Sequence, residues 1–189
     1  MIPVPKDIAI VVLDLDGTIY RKPRMACYMI GKQWRHLPSL IAERRWRKAQ
    51  RQALHDGQPM PAMPVSETWY RQSYLPSMVD IIREHYTPQE WVKPLLEECR
   101  QRNVKVVILS DYEAATEKLQ VLGLKPSDFD YILSTGDMGT IKPDPRLAEM
   151  LSAAMNNAAI DWRHVLIIGD RDDTDGLLAK ALGAQFLKV

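Results

Sequence analysis

Asp14 and Asp16 stand two residues apart where the apolar run IAIVVL ends, and Gly17-Thr18 follows at once. Burying uncompensated carboxylates is costly, so a purely structural use for this pair is poor. Three further clusters repeat the arrangement. Ser110-Asp111 closes the run VKVVIL, Lys142 lies in the loop GTIKPDP (139–145), and GDRDDTD (169–175) closes VLII with Asp170, Asp172, Asp173 and Asp175. These groups supply carboxylates for a nucleophile, for proton transfer or for a hard divalent cation, a hydroxyl for hydrogen bonding, and an ammonium to offset negative charge. Singly, each has a structural explanation: Asp14 as a strand-end cap, Asp16 as a turn residue, Ser110 as a helix N-cap, Lys142 and Asp172 as solvated charges. All of these explanations holding at once is not credible.

The elements that must position them are readable. IAIVVLDLD (8–16), VKVVILSD (104–111) and VLIIGD (165–170) are short, rich in β-branched residues and apolar on both faces, which suits parallel strands covered by helices on both sides. YILST (131–135) and AQFLKV (184–189) are weaker strand candidates. One helix is expected at 87–103, where Thr87, Pro88 and Glu90 fit N-cap, first-turn and capping-box positions. Others are expected at 112–123, ending on Gly123, at 144–156, with an apolar stripe at 147, 150, 151 and 154, and at 174–183, ending on Gly183. Asp144 is expected to cap the 144–156 helix rather than bind a ligand. From residue 104 onward strand and helix alternate, the pattern of an α/β, doubly wound parallel sheet. In such a sheet ligands bind outside the carboxyl ends of the strands, where the four polar clusters fall.

Residues 21–92 interrupt this pattern. They are helix-prone, broken by HDGQPMPAMP (55–64), and hold Trp34, Trp46, Trp69 and Trp91, four of the five tryptophans. They read as an inserted helical module, leaving 1–20 and 93–189 as the core. Residues 21–51 carry ten Lys/Arg and one acid, Glu43, so this segment is +9 and the remainder −8, although the whole chain is only +1. Within 38–57, Ala42, Trp46, Ala49 and Ala53 make the expected apolar stripe. The basic residues around it are read first as solvated surface, then as attraction for an anionic substrate, with an anionic membrane or nucleic acid ranking behind. The composition, 46% apolar and 26% charged, is that of a soluble globular protein. No apolar run approaches the ~18–20 residues of a membrane helix, and no signal peptide is visible. Cys27 and Cys99 lack metal-ligand spacing and are expected to be reduced thiols in a cytoplasmic protein.

DLDGT, LSD, the lysine of IKPDP and GDRDDTD, in this order, resemble the four motifs of the haloacid dehalogenase (HAD) superfamily, over residues 8–20 and 104–189. The resemblance implies a Rossmann-like core with a C1-type helical cap at 21–92. It implies a Mg²⁺-dependent phosphomonoester hydrolase, acting on a small soluble phosphorylated metabolite through an aspartyl-phosphate. Asp14 is then the nucleophile. Asp16, which strand alternation places on the same side, protonates the leaving alcohol and afterwards activates water. Ser110 hydrogen-bonds a phosphoryl oxygen, Lys142 offsets charge, and Gly17, Thr18 and Asp111 lie beside the substrate. Asp14, the backbone carbonyl of Asp16, and Asp170 hold Mg²⁺, supported by Asp175 or Asp173. Two features depart from the family pattern: Asp111 stands where asparagine is frequent, and the last motif is unusually acidic. A phosphomutase of the same superfamily, or a non-catalytic binding or regulatory module on the same fold, are the alternatives. Haloacid dehalogenation fits Asp16 and the acidic last motif less well than phosphoryl chemistry does.

Overall fold

The computed structural model describes residues 2–156 and 160–189. The chain divides into two compact units, Met1–Arg21 with Thr87–Val189, and Lys22–Tyr86. The second unit is helical. It comprises α1 (Met25–Lys32), α2 (Leu37–His55), and α3 (Glu67–Trp69), which continues through a π-helical turn at Tyr70–Tyr74 into α4 (Leu75–His85).

Helix α2 inverts the expected pattern. Its buried residues are Glu43, Arg47 and Gln50, while Ala49 of the expected stripe is exposed and Ala42, Trp46 and Ala53 are only half-buried. An ion pair one turn long is the cause. Arg47 Nε donates to Glu43 Oε1 at 3.0 Å and Arg47 Nη2 to the Tyr70 hydroxyl at 2.6 Å, so the charges are matched where they are buried. Arg47 therefore does not belong to the solvated basic surface. Removing one partner of such a pair costs roughly 3–5 kcal/mol, because the other charge stays buried. The outward residues of α2 include Leu37, Ile41, Arg44, Arg45 and Lys48.

In the first unit, β1 (Ile10–Leu13), β2 (Lys105–Ser110), β3 (Tyr131–Ser134), β4 (Val165–Gly169) and β5 (Gln185–Lys188) form one parallel sheet in the order β3-β2-β1-β4-β5. Ile10, Val12, Val107, Leu109, Val165 and Ile167 share one core with Leu147, Leu151, Met155 and Leu178. The alternate residues Val11, Leu13, Val106, Ile108, Leu166 and Ile168 are buried as well. Both faces are covered, which is why these strands read as continuous apolar runs. After β3 the chain passes to the far side of β1 to form β4, so the carboxyl ends of β1 and β4 flank the reversal in strand order.

The helices of this unit are shorter than expected: α5 (Val92–Gln101), α6 (Ala115–Val121), α7 (Leu147–Ala154) and α8 (Leu177–Leu182). Residues 87–91 stay outside α5 because Gln89 is held elsewhere. Its N–H donates to the Ile19 carbonyl at 2.8 Å and its Nε2 to the Thr18 carbonyl at 2.5 Å. Pro94 lies in the first turn of α5, where no intrahelical N–H is required. Ala114, at φ 58°, sets the start of α6. Asp144 precedes α7 and accepts from the Arg146 N–H at 2.9 Å, closing a turn ahead of the helix rather than capping it. Among the described residues no helix is long and apolar enough to cross a membrane.

The two thiols differ sharply. Cys27 is exposed; Cys99, inside α5, is buried, and burial pushes its thiol up to about 11. Only the thiolate reacts. A maleimide at pH 7.5 is expected to label one thiol per native chain and a second only after denaturation. Two labels on the native protein would contradict the packing of α5.

Candidate active site

Asp14 follows β1 directly, and its N–H continues the ladder by donating to the Ile168 carbonyl at 3.0 Å. Its side chain is thereby aimed from a fixed backbone. Thr18 Oγ1 donates to Asp14 Oδ2 at 2.8 Å, across a turn in which Gly17 takes φ 120°, a conformation natural only to glycine. Lys142 Nζ meets Asp14 Oδ1 at 2.5 Å, Asp175 Oδ1 at 2.7 Å and the Leu109 carbonyl at 3.1 Å. Three acceptors match the three protons of an ammonium. Burial pushes the Lys142 ammonium toward its neutral form, but Asp14 and Asp175 outweigh burial and hold it charged, its pKa well above the ordinary lysine value. Asp175 is raised to about 6, by burial foremost and by Asp14, against the lowering pull of Lys142.

The backbone carrying Lys142 is anchored by Asp111, whose Oδ1 accepts from the Lys142 N–H at 3.0 Å and from Thr135 Oγ1 at 3.1 Å. Asp175 is positioned just as closely. A Cβ on Gly169 would lie 2.3 Å from the Asp175 carboxyl carbon, so only glycine at the end of β4 admits that side chain. Asp173 is exposed and paired with Arg171 at 2.5 Å, and Asp172 is paired with Lys188. The structure thus brings Asp175, and not Asp173, to Asp14.

Asp16 meets a different cation. Lys118 Nζ lies 3.0 Å from Asp16 Oδ1 and 2.9 Å from Oδ2, and the Tyr20 hydroxyl donates to Oδ1 at 2.5 Å. Burial, then the charge of Asp16, raises the Tyr20 phenol well above its usual value and keeps it a donor. Ser110 Oγ approaches Asp16 Oδ2 at 3.0 Å and the Tyr112 carbonyl at 2.7 Å, so its single proton has two acceptors. Neither Lys118 nor Tyr20 stands out in the motifs. A signal was present for Lys118: buried Ala115, Lys118, Leu119 and Leu122 follow the i, i+3, i+4, i+7 spacing of a core-facing stripe, with a lysine at an apolar position.

Asp14, Asp170 and Asp175 each offer a carboxylate oxygen, and these atoms all lie within 4.8 Å of one another. Hard oxygen donors at this spacing fit a small divalent cation such as Mg²⁺. The Asp16 side chain is turned to Lys118 instead.

Fold and site together define a doubly wound α/β protein with an acidic strand-end site built around a buried lysine. The chain belongs to the haloacid dehalogenase-like hydrolase family, whose model matches residues 11–189. It is 28% identical over 127 residues to haloacid dehalogenase-like hydrolase domain-containing protein 3 of Bos taurus. That match takes in 67% of this chain and 46% of the relative, so the chain spans about half the length of that protein. The fold is also that of CbbY from Rhodobacter sphaeroides, solved with phosphate, at TM-score 0.70 and 14% identity over 95% of this chain and 84% of that one. The hydrolase YfnB of Bacillus subtilis, solved with magnesium, gives TM-score 0.68 and 16% identity over 96% and 88%.

Proposed function

We propose that this protein is a Mg²⁺-dependent phosphomonoester hydrolase acting on a small soluble phosphorylated metabolite. The observation that carries the proposal is the buried Lys142 ammonium bridging Asp14 and Asp175 at the strand ends. Asp14, fixed by Thr18 and Lys142, attacks phosphorus; the P–O bond to the alcohol breaks as the acyl-phosphate bond to Asp14 forms. Asp16, a carboxylate held by Lys118, Tyr20 and Ser110, takes up a proton before the reaction and gives it to the departing oxygen. Asp16 then accepts a proton from water, whose oxygen attacks the acyl-phosphate and releases phosphate, restoring Asp14. Lys142 offsets charge on the phosphoryl group, and Ser110 supplies a hydroxyl to it. Asp111 acts through the backbone of Lys142. Asp14, Asp170 and Asp175 would hold Mg²⁺, which when bound neutralises the phosphate dianion and aligns it.

The inserted module, expected at 21–92 and bounded in the structure at Lys22–Tyr86, is read as the C1-type cap that selects the substrate. Support comes from the ligands of the fold's relatives: phosphate and xylulose 1,5-bisphosphate with CbbY, magnesium with YfnB. Two free cysteines agree with a reducing cytoplasm.

The test is release of inorganic phosphate from a panel of phosphorylated metabolites with Mg²⁺, then with EDTA. Turnover is expected with Mg²⁺ and lost in EDTA, and Asp170→Ala is expected to weaken Mg²⁺ binding by about tenfold or more in calorimetry. Phosphate release that persists in EDTA would sink the metal assignment. Unchanged Mg²⁺ affinity in the variant would take Asp170 out of the site.

A further inference from the structure

Lys118 has no place in the four motifs, yet it is fully buried and grips both oxygens of Asp16. An ammonium is costly to bury, and a leucine at this point of the α6 stripe would pack without that cost. Its Nζ also lies 5.0 Å from the centre of the Tyr112 ring, so an aromatic face backs the cation on the way to Asp16. Asp16 lies beyond the end of β1, where the sheet ladder no longer dictates its side-chain direction. Contact to both oxygens fixes the plane of a carboxylate, whereas contact to one leaves it free to swing. Tyr20 and Ser110 then approach one oxygen each.

We propose that Lys118 is a positioning residue: through its contact with both oxygens it sets the orientation in which Asp16 meets the leaving oxygen of the substrate. The proposal rests on the reading of Asp16 as the group that protonates the leaving alcohol. Tyr20 donates to one oxygen of the same carboxylate. Lys142 serves Asp14 and Asp175, so each of the two motif carboxylates has its own buried cation.

The distinguishing readout is leaving-group selectivity. Phenyl phosphate and 4-nitrophenyl phosphate have similar shapes, but phenoxide leaves far less readily and needs the proton more. kcat/KM reports the step in which the leaving group departs. With Mg²⁺ present, Asp16→Asn is expected to lower kcat/KM for phenyl phosphate by ~10²-fold or more, and for 4-nitrophenyl phosphate by under ~10-fold. Lys118→Met is expected to reproduce that selectivity, and Asp16→Asn/Lys118→Met to lose nothing beyond Asp16→Asn alone, because the two residues act as a unit.

The double variant leaves no unpaired charge in this pair, so it keeps the comparison open if Lys118→Met fails to fold. A purely structural lysine would depress both esters equally in Lys118→Met and would deepen the defect of Asp16→Asn in the double variant; either result overturns the proposal. If Asp16→Asn itself shows no selectivity, or the wild type hydrolyses neither ester, the proton-donor reading falls and the role of Lys118 falls with it. Selectivity in Asp16→Asn without selectivity in Lys118→Met overturns the role of Lys118 alone.

Discussion

Asp14→Asn is expected to abolish turnover while the protein stays folded. The amide has nearly the shape of the carboxylate, and its oxygen can still accept from Thr18. Lys142 loses one charged partner but keeps Asp175 at 2.7 Å and the Leu109 carbonyl at 3.1 Å, so its ammonium is not stranded. Chemically the change is decisive, because an amide forms no acyl-phosphate. Loss of a nucleophile lowers kcat by roughly 10⁴-fold or more. Steady-state phosphate release checks the rate, circular dichroism with a thermal melt checks the fold, and acid quench with labelled substrate seeks the phosphorylated enzyme, expected only with Asp14 present. A folded variant with near wild-type turnover would remove Asp14 from the nucleophile's role.

Lys142→Met should separate metal binding from catalysis. Methionine roughly fills the space of the lysine stem but brings no charge. Asp14 and Asp175 are then left close together and buried without their shared cation. Breaking a buried pair in this way costs about 3–5 kcal/mol, which lowers the melting temperature of a chain of this size by ~10 °C in EDTA. Added Mg²⁺ should restore much of the loss, since the cluster that repels itself now binds a cation without competition from the ammonium. Calorimetry is expected to show tighter Mg²⁺ binding than in the wild type, while kcat falls by roughly 10²–10³-fold for want of charge stabilisation on the phosphoryl group. Weaker Mg²⁺ binding together with an unchanged melt would show that Lys142 does not balance these carboxylates.

Much of this was legible beforehand, for identifiable reasons. A strand buried on both faces has to be apolar at every position, so β1, β2 and β4 stand out as continuous runs, and the polar residue at which each run stops marks the sheet edge. Asp14, Ser110 and Asp170 were readable because that edge is where they fall. Residues whose contacts depend on tertiary packing were not. Asp173 and Asp175 have the same chemistry, and only the π-helical turn at Asp172–Gly176 sends one outward to Arg171 and the other inward to Lys142. Glu43 and Arg47 look like surface charge in a basic segment, because an i,i+4 ion pair has the same pattern whether it is solvated or buried. Lys118 escaped because its partner lies 102 residues away in sequence. Helix starts shifted for local reasons: Gln89 was engaged by Thr18 and Ile19, and Ala114 took a left-handed conformation.

The strand order also governs how the chain acquires its shape in time. β1 is central, and Ile10 pairs with Lys105 on one side and Val165 on the other. Neither neighbour of the central strand exists until most of the chain has been made. Loop closure over such separations is entropically unfavourable before the contacts that reward it can form, so the sheet assembles slowly and as a whole. The helices from 25–32 through 75–85 close shorter separations, such as Gln33 with Ser73 and Lys32 with Glu84, than the 95 residues between Ile10 and Lys105. Unpaired, IAIVVL is an apolar segment with strong β preference and no charge, the composition of an aggregation-prone stretch. Lys6 and Asp7 on one side and Asp14 and Asp16 on the other are charges at both of its ends. The carboxylates assigned to chemistry in the finished protein thus stand at the end of its most apolar strand, the place where charges that discourage aggregation of such a segment are found.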